Sequence, residues 1–134
     1  MTLSPVTTDQ APQPLGHYQQ GIRAAGLVHV SGQLPIRPGE APGCVPRAFP
    51  EQATLVVQNF LAIVAAAGGR REDVVKVTAY IVGVENWPAF NTAFSALFGE
   101  HRPARSVVPV PELHHGYLIE LDGVAIDKSA PPRR

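Results

Sequence analysis

Two stretches of this chain repeat apolar residues at helical spacing, and each presents only one apolar stripe. Residues 51–67 align Ala53, Val56, Val57, Phe60, Leu61 and Val64; residues 87–98 align Phe90, Phe94, Leu97 and Phe98. A one-sided helix must lie on something. The segments around these two read as strands: 18–24, 26–33, 74–82, 105–110 and 117–126 are short, mostly rich in β-branched residues and bounded by Gly or Pro. The order β-β-α-β-α-β-β predicts an α+β fold, a two-layer sandwich of one mixed sheet with two helices on one face. Strand 74–82 is apolar on both sides apart from Lys76, Thr78 and Tyr80. The second sheet face then needs cover, and in 134 residues nothing is left to supply it. Oligomerisation would.

Local signals place the boundaries. Pro50 suits the first turn of helix 51–67, and Gly68-Gly69 stops it. Asn86 is the expected N-cap of helix 87–98, with Pro88 in its first turn. Residues 1–15, with Pro5, Pro12 and Pro14, read as an extended arm. Residues 35–50 carry Pro35, Pro38, Gly39, Pro42, Gly43, Pro46 and Pro50, a breaker density that makes a long loop. The chain is expected to be one domain over 1–134, with 1–10 and 128–134 as flexible termini.

Charge and cysteine content exclude some classes. Eleven Lys+Arg balance eleven Asp+Glu, so the basic surplus of a nucleic-acid binder is missing. A neutral, weakly charged surface also lacks the usual guard against self-association. Cys44 is the single cysteine, so no internal disulfide forms and a reducing compartment fits. No basic n-region leads an apolar run, and the most apolar stretch, Phe60 to Ala67, is far short of the ~20 residues of a membrane span. The expected location is cytoplasmic, without membrane contact. Arg133-Arg134 reads as a solvated tail. There is no phosphate-binding glycine motif, no HExxH and no cysteine pair for zinc. His114-His115 reads as a solvated turn and Lys76 as a solvent-facing strand residue, so neither a metal site nor a Schiff base is expected.

The chemistry concentrates in 103–126. A six-residue connection, 111–116, separates the last two strands and predicts an antiparallel hairpin. With the turn centred near 112–113, Arg105 lies opposite Glu120. Leu118, Glu120, Asp122, Val124 and Ile126 share one face, so two carboxylates interrupt an apolar row. A carboxylate there is costly unless paired or protonated. Two readings stay open: a structural Arg105–Glu120 ion pair at a sheet edge, or a functional pair. In the second, the Arg105 fork grips a substrate carboxylate and Glu120 moves protons.

These residues resemble the Rid family (reactive intermediate deaminase, formerly YjgF). Pro103-Ala104-Arg105-Ser106 and Ile119-Glu120-Leu121-Asp122 are similar to its hallmark segments. In order along the chain, further stretches resemble it: Ala11-Pro12 to Gly21, Val30-Ser31-Gly32-Gln33-Leu34-Pro35, Gln58-Asn59 to Gly68, and Phe90-Asn91 to Phe98. The resemblance implies a chorismate-mutase-like fold and a homotrimer with clefts between subunits. It implies hydrolysis of reactive enamine/imine acids to 2-keto acids and ammonia, with no cofactor and no metal. Arg105 matches the carboxylate-binding arginine, and Glu120 the glutamate that positions or activates water. Tyr18, Ser31 and Asn91 match pocket positions. Val107 stands where cysteine is common, Pro109 where glutamate is common, and His17 where proline is common beside Tyr18. These departures imply a divergent member with a larger or different imine substrate. The alternatives are a relative acting on another pathway intermediate, or a non-catalytic trimer that binds small carboxylates.

Overall fold

The structure, a computed structural model, describes residues 2–130. Six strands form one sheet: β1 (Ser4–Val6), β2 (Gly21–Ala24), β3 (Leu27–Gln33), β4 (Val74–Ile81), β5 (Ala104–Pro109) and β6 (Ile119–Ile126). Two helices, α1 (Phe49–Ala66) and α2 (Trp87–Phe98), pack on one face. The strand order is β1-β2-β3-β6-β4-β5, and every pair is antiparallel except β4/β5. The expected two-layer α+β sandwich with a mixed sheet is what forms. β1 is an addition to the expected order: Ser4–Val6, inside the terminal arm, pairs with β2 at the sheet edge. Arg133-Arg134 lie outside the described residues.

Helix α1 begins with Pro50 and Glu51 in its first turn, where a missing N–H costs nothing and a carboxylate meets the positive helix end. It stops as Gly68 turns to φ 87°, while Gly69 N–H donates to the Val64 carbonyl at 3.0 Å. Its stripe of Ala53, Val56, Val57, Phe60 and Val64 is buried against the sheet, with Leu61 at the margin. Phe60, fully buried, requires Gly123 opposite it: a Cβ there would lie 2.9 Å from the ring and collide with the Lys76 carbonyl. Helix α2 stacks Phe90, Phe94 and Phe98 one turn apart, with ring centroids 5.4 and 4.4 Å apart. Its start differs from expectation. Asn86 stands at the expected N-cap position, but its side chain makes no capping bond; its backbone is already helical, at the end of a tight turn, and its Nδ2 donates back to the Val82 carbonyl at 2.9 Å.

The breaker-rich loop is pinned rather than free. Buried Asn59 of α1 donates to the Leu34 and Ile36 carbonyls, at 3.1 and 2.8 Å. Arg47 grips Glu40 through two hydrogen bonds, and Gly43 N–H donates to the Tyr117 hydroxyl at 2.7 Å.

The expected β5–β6 hairpin does not form. β5 pairs in parallel with β4, Arg105 beside Val77, and β6 lies on the other side of β4, Glu120 opposite Tyr80. The connection hooks round the end of β4: Val110 N–H donates to the Ile81 carbonyl and Val82 N–H to that of Leu118, both at 2.9 Å. The burial pattern explains the order. β4 and β6 carry fully buried rows (Val77, Ala79, Ile81; Ile119, Leu121, Ala125) that gain most in the sheet centre. β5 is largely exposed and contains Pro109, which lacks a ladder donor, so it belongs at an edge.

Candidate functional site

Arg105 and Glu120 therefore point to opposite faces of the sheet. Arg105 shares the side of Val77 and reaches toward α2; Glu120 shares the open side with Tyr80, Asp122 and Lys76. Strand spacing of ~4.8 Å and ~3.3 Å per residue put their Cα atoms about 14 Å apart, across β4. No ion pair within the chain is possible at that distance, which removes the structural-pair reading.

The Arg105 side is built on aromatics. Its guanidinium carbon lies 5.2 Å from the Phe90 ring centre and 5.0 Å from that of Phe94. Nη2 donates to Asn91 Oδ1 at 2.9 Å, so α2 orients the fork from one side. The rings shield the cation enough to hold its pKa below the usual guanidinium value, by burial, yet arginine stays charged at any accessible pH. An open cleft of about 470 Å³ lies here, lined by Asn91, Phe94, Phe98, Arg102 and Arg105. Val107, two residues on, shares the Arg105 face and packs half-buried against the core. The remaining guanidinium N–H groups can meet a carboxylate in the bidentate geometry arginine favours.

The Glu120 side is built by a bulge. The β3/β6 register shifts between Val30 and Gln33, which brings Gly32 under the Glu120 side chain. A Cβ at Gly32 would stand 2.7 Å from Glu120 Oε2, so this carboxylate position depends on a glycine. Ser31, beside it, is tied back: its hydroxyl donates to the Gln19 carbonyl at 2.6 Å. Tyr18 is 49% exposed and lines one small cavity with Gly32 and Leu34. His17, next to it, is exposed. Burial, and secondarily the Asp122 carboxylate, push the Glu120 pKa above the ordinary glutamate value, while His114 pulls it down in part. His114 and His115 stack at 3.8 Å in the turn before β6. Among the described residues, no three of His, Cys, Asp and Glu gather as a metal ion would require.

The structure thus gathers Arg105, Asn91 and Val107 at the α2 edge, and Glu120, Ser31 and Tyr18 toward the β3 bulge. One chain does not bring the two groups together. Sequence reasoning missed the parts played by Gly32 and Tyr80. The alternation of β4 put Tyr80 on the open row, but only its pairing with β6 sets it opposite Glu120.

Comparison with known proteins gives a consistent set of matches. The family profile described as Endoribonuclease L-PSP matches residues 8–127. A RutC family protein of Pyrococcus abyssi is 38% identical over 120 residues, covering 90% of this chain and 94% of the relative. The 2-iminobutanoate/2-iminopropanoate deaminase of Escherichia coli K12 is 35% identical over 124 residues, covering 90% and 95%. The crystal structure of E. coli TdcF with bound serine superposes with a TM-score of 0.86 at 31% identity, covering 92% of this chain and 98% of that one.

Proposed function

Because the chain belongs to the Rid (YjgF/RutC) family, we propose that it hydrolyses enamine/imine acids to 2-keto acids and ammonia, in a cleft completed by a second copy of itself. The observation that carries this reading is the separation of Arg105 and Glu120 onto opposite sheet faces, each with unused hydrogen-bonding capacity. A cyclic assembly that buries the open sheet face against its neighbours can set the α2 edge of one copy beside the bulge of the next. The assembly proposed is a homotrimer.

The reaction needs orientation and proton traffic more than a strong nucleophile. Arg105, steadied by Asn91, holds the substrate carboxylate. An enamine first tautomerises to the imine. Glu120 takes a proton from water as the water oxygen adds to the carbon of the protonated imine, forming a carbinolamine. It returns that proton to the amino nitrogen and accepts the hydroxyl proton as the C–N bond breaks and the C=O bond forms, which leaves the keto acid and ammonia. A carboxyl whose pKa is raised suits this exchange better than an ordinary glutamate. A non-catalytic carboxylate binder is the second reading, favoured by the relative crystallised with serine. The profile's ribonuclease name finds little physical support in this chain, whose zero net charge gives a polyanion no basic surplus to bind.

Keto-acid release from an amino-acid oxidase reaction should speed up when the protein is added; an unchanged rate across several amino acids would count against turnover. Mixing matters most. R105A and E120Q, each strongly impaired alone, should regain activity in mixed assemblies, with about one quarter of clefts intact at equal ratio and random assortment. A site confined to one chain would regain none.

A further inference from the structure

The open sheet face holds a second polar pair that the proposed reaction does not use. Tyr80 starts directly opposite Glu120 across β4 and β6, yet its hydroxyl donates to Asp122 Oδ2 at 3.1 Å, two residues along β6. The ring therefore runs diagonally from beside Glu120 toward Asp122, and paired positions on adjacent strands bring side chains within about 5 Å at Cβ. Asp122 has a donor; among the described residues the Glu120 carboxyl has none. Gly32 closes the other side without a side chain.

We infer that Tyr80 and Asp122 are positioning residues for Glu120: the phenol, anchored on Asp122, covers one flank of the Glu120 carboxyl, and Asp122 sets a second carboxylate on the same face two residues along β6. The inference rests on Glu120 being the proton-carrying group of the proposed site. Desolvation and a like charge both favour the neutral acid, which is the form that must exist part of the time if Glu120 is to return a proton. Other groups facing Glu120 act differently. His114, in the preceding turn, favours the carboxylate. β3 presents Ser31 and Gly32, which do not titrate. His29 and Lys76 stand farther along, beside Val124, and Lys76 is engaged with the Ser106 hydroxyl at 2.9 Å. In the assembled cleft, Arg105 of a second copy also favours the carboxylate.

The test is a titration of the assembled full-length protein labelled with 13C at glutamate carboxyls, with the Glu120 signal assigned by E120Q. D122N, which keeps size and hydrogen bonding but removes the charge, should move the Glu120 midpoint to lower pH. Y80A should do the same by admitting water. Y80F, which keeps the ring and folds with it, should not lower the midpoint, and D122E should hold it near the wild-type position. The acid limb of kcat/KM for imine hydrolysis should follow each shift. A Glu120 midpoint identical in wild type and D122N overturns the inference, even with turnover normal. Absence of turnover in every form overturns the deaminase reading instead, and the carboxyl titration still decides the roles of Tyr80 and Asp122.

Discussion

The two halves of the site use opposite physical strategies. Arg105 projects from an exposed edge strand onto the rings of Phe90 and Phe94, with Asn91 as its one hydrogen-bond partner among the described residues. Its charge is permanent, and its surroundings aim it. Glu120 stands in the sheet, over a glycine, beside a second carboxylate and, among the described residues, with no donor of its own. Its charge is conditional, and its surroundings tune it. In the proposed reaction this contrast becomes a division of labour: the Arg105 side would hold an anion, the Glu120 side would gain and lose a proton.

Substitutions should break that division in graded steps. E120Q should cost most, about 10²–10⁴-fold in kcat with little change in substrate affinity, the range expected for loss of a proton-transfer group. R105A should cost about 10²–10³-fold in kcat/KM through lost carboxylate binding, read from steady-state keto-acid formation. G32A should injure only the Glu120 half. The added Cβ must displace Oε2, and a shift approaching 1 Å costs up to about 10²-fold in kcat, with KM for the carboxylate nearly unchanged. N91A should injure only the Arg105 half, by about 3–10-fold and mainly in KM, as one hydrogen bond is lost. If G32A and N91A changed kcat and KM alike, the proposed division would fail.

The smallest effect concerns stability. The folded-state pKa of Glu120 lies above its unfolded value, so the fold binds that proton more tightly than the unfolded chain does. Its contribution is complete below the unfolded pKa and is lost as pH rises through the raised value. E120Q, neutral at every pH, should therefore show a slightly higher Tm than wild type near neutrality and none of that advantage in acid. Thermal melts at the two pH values check the sign.

Much of this arrangement was legible before any coordinates. Helix 87–98 was legible because the Phe90, Phe94, Leu97 and Phe98 stripe keeps helical spacing and Pro88 suits a first turn. Proline at 109, which lacks a ladder donor, left an edge or a bulge as the choices, and β5 is an edge strand. The alternation 118–126 put Glu120 and Asp122 on one face, where they stand. The pairing of the last strands was misread because a short connection is compatible with a hairpin and also with a hook around one intervening strand. Nothing local distinguishes the two; the burial of β4 decides it.

Sequence by itself determined the elements, their apolar faces, the Arg105 and Glu120 motifs and the family to which they belong. Those properties reside in residue types and spacings of a few positions, where side-chain period and backbone restriction act. Tertiary structure alone decided that the cation and the carboxyl face away from each other, that the rings of α2 lie under the first and Gly32 under the second, and that Tyr80 stands opposite Glu120 with its hydroxyl on Asp122. Such relations arise from long-range strand order, chosen by which rows of side chains are most worth burying in the centre of the sheet.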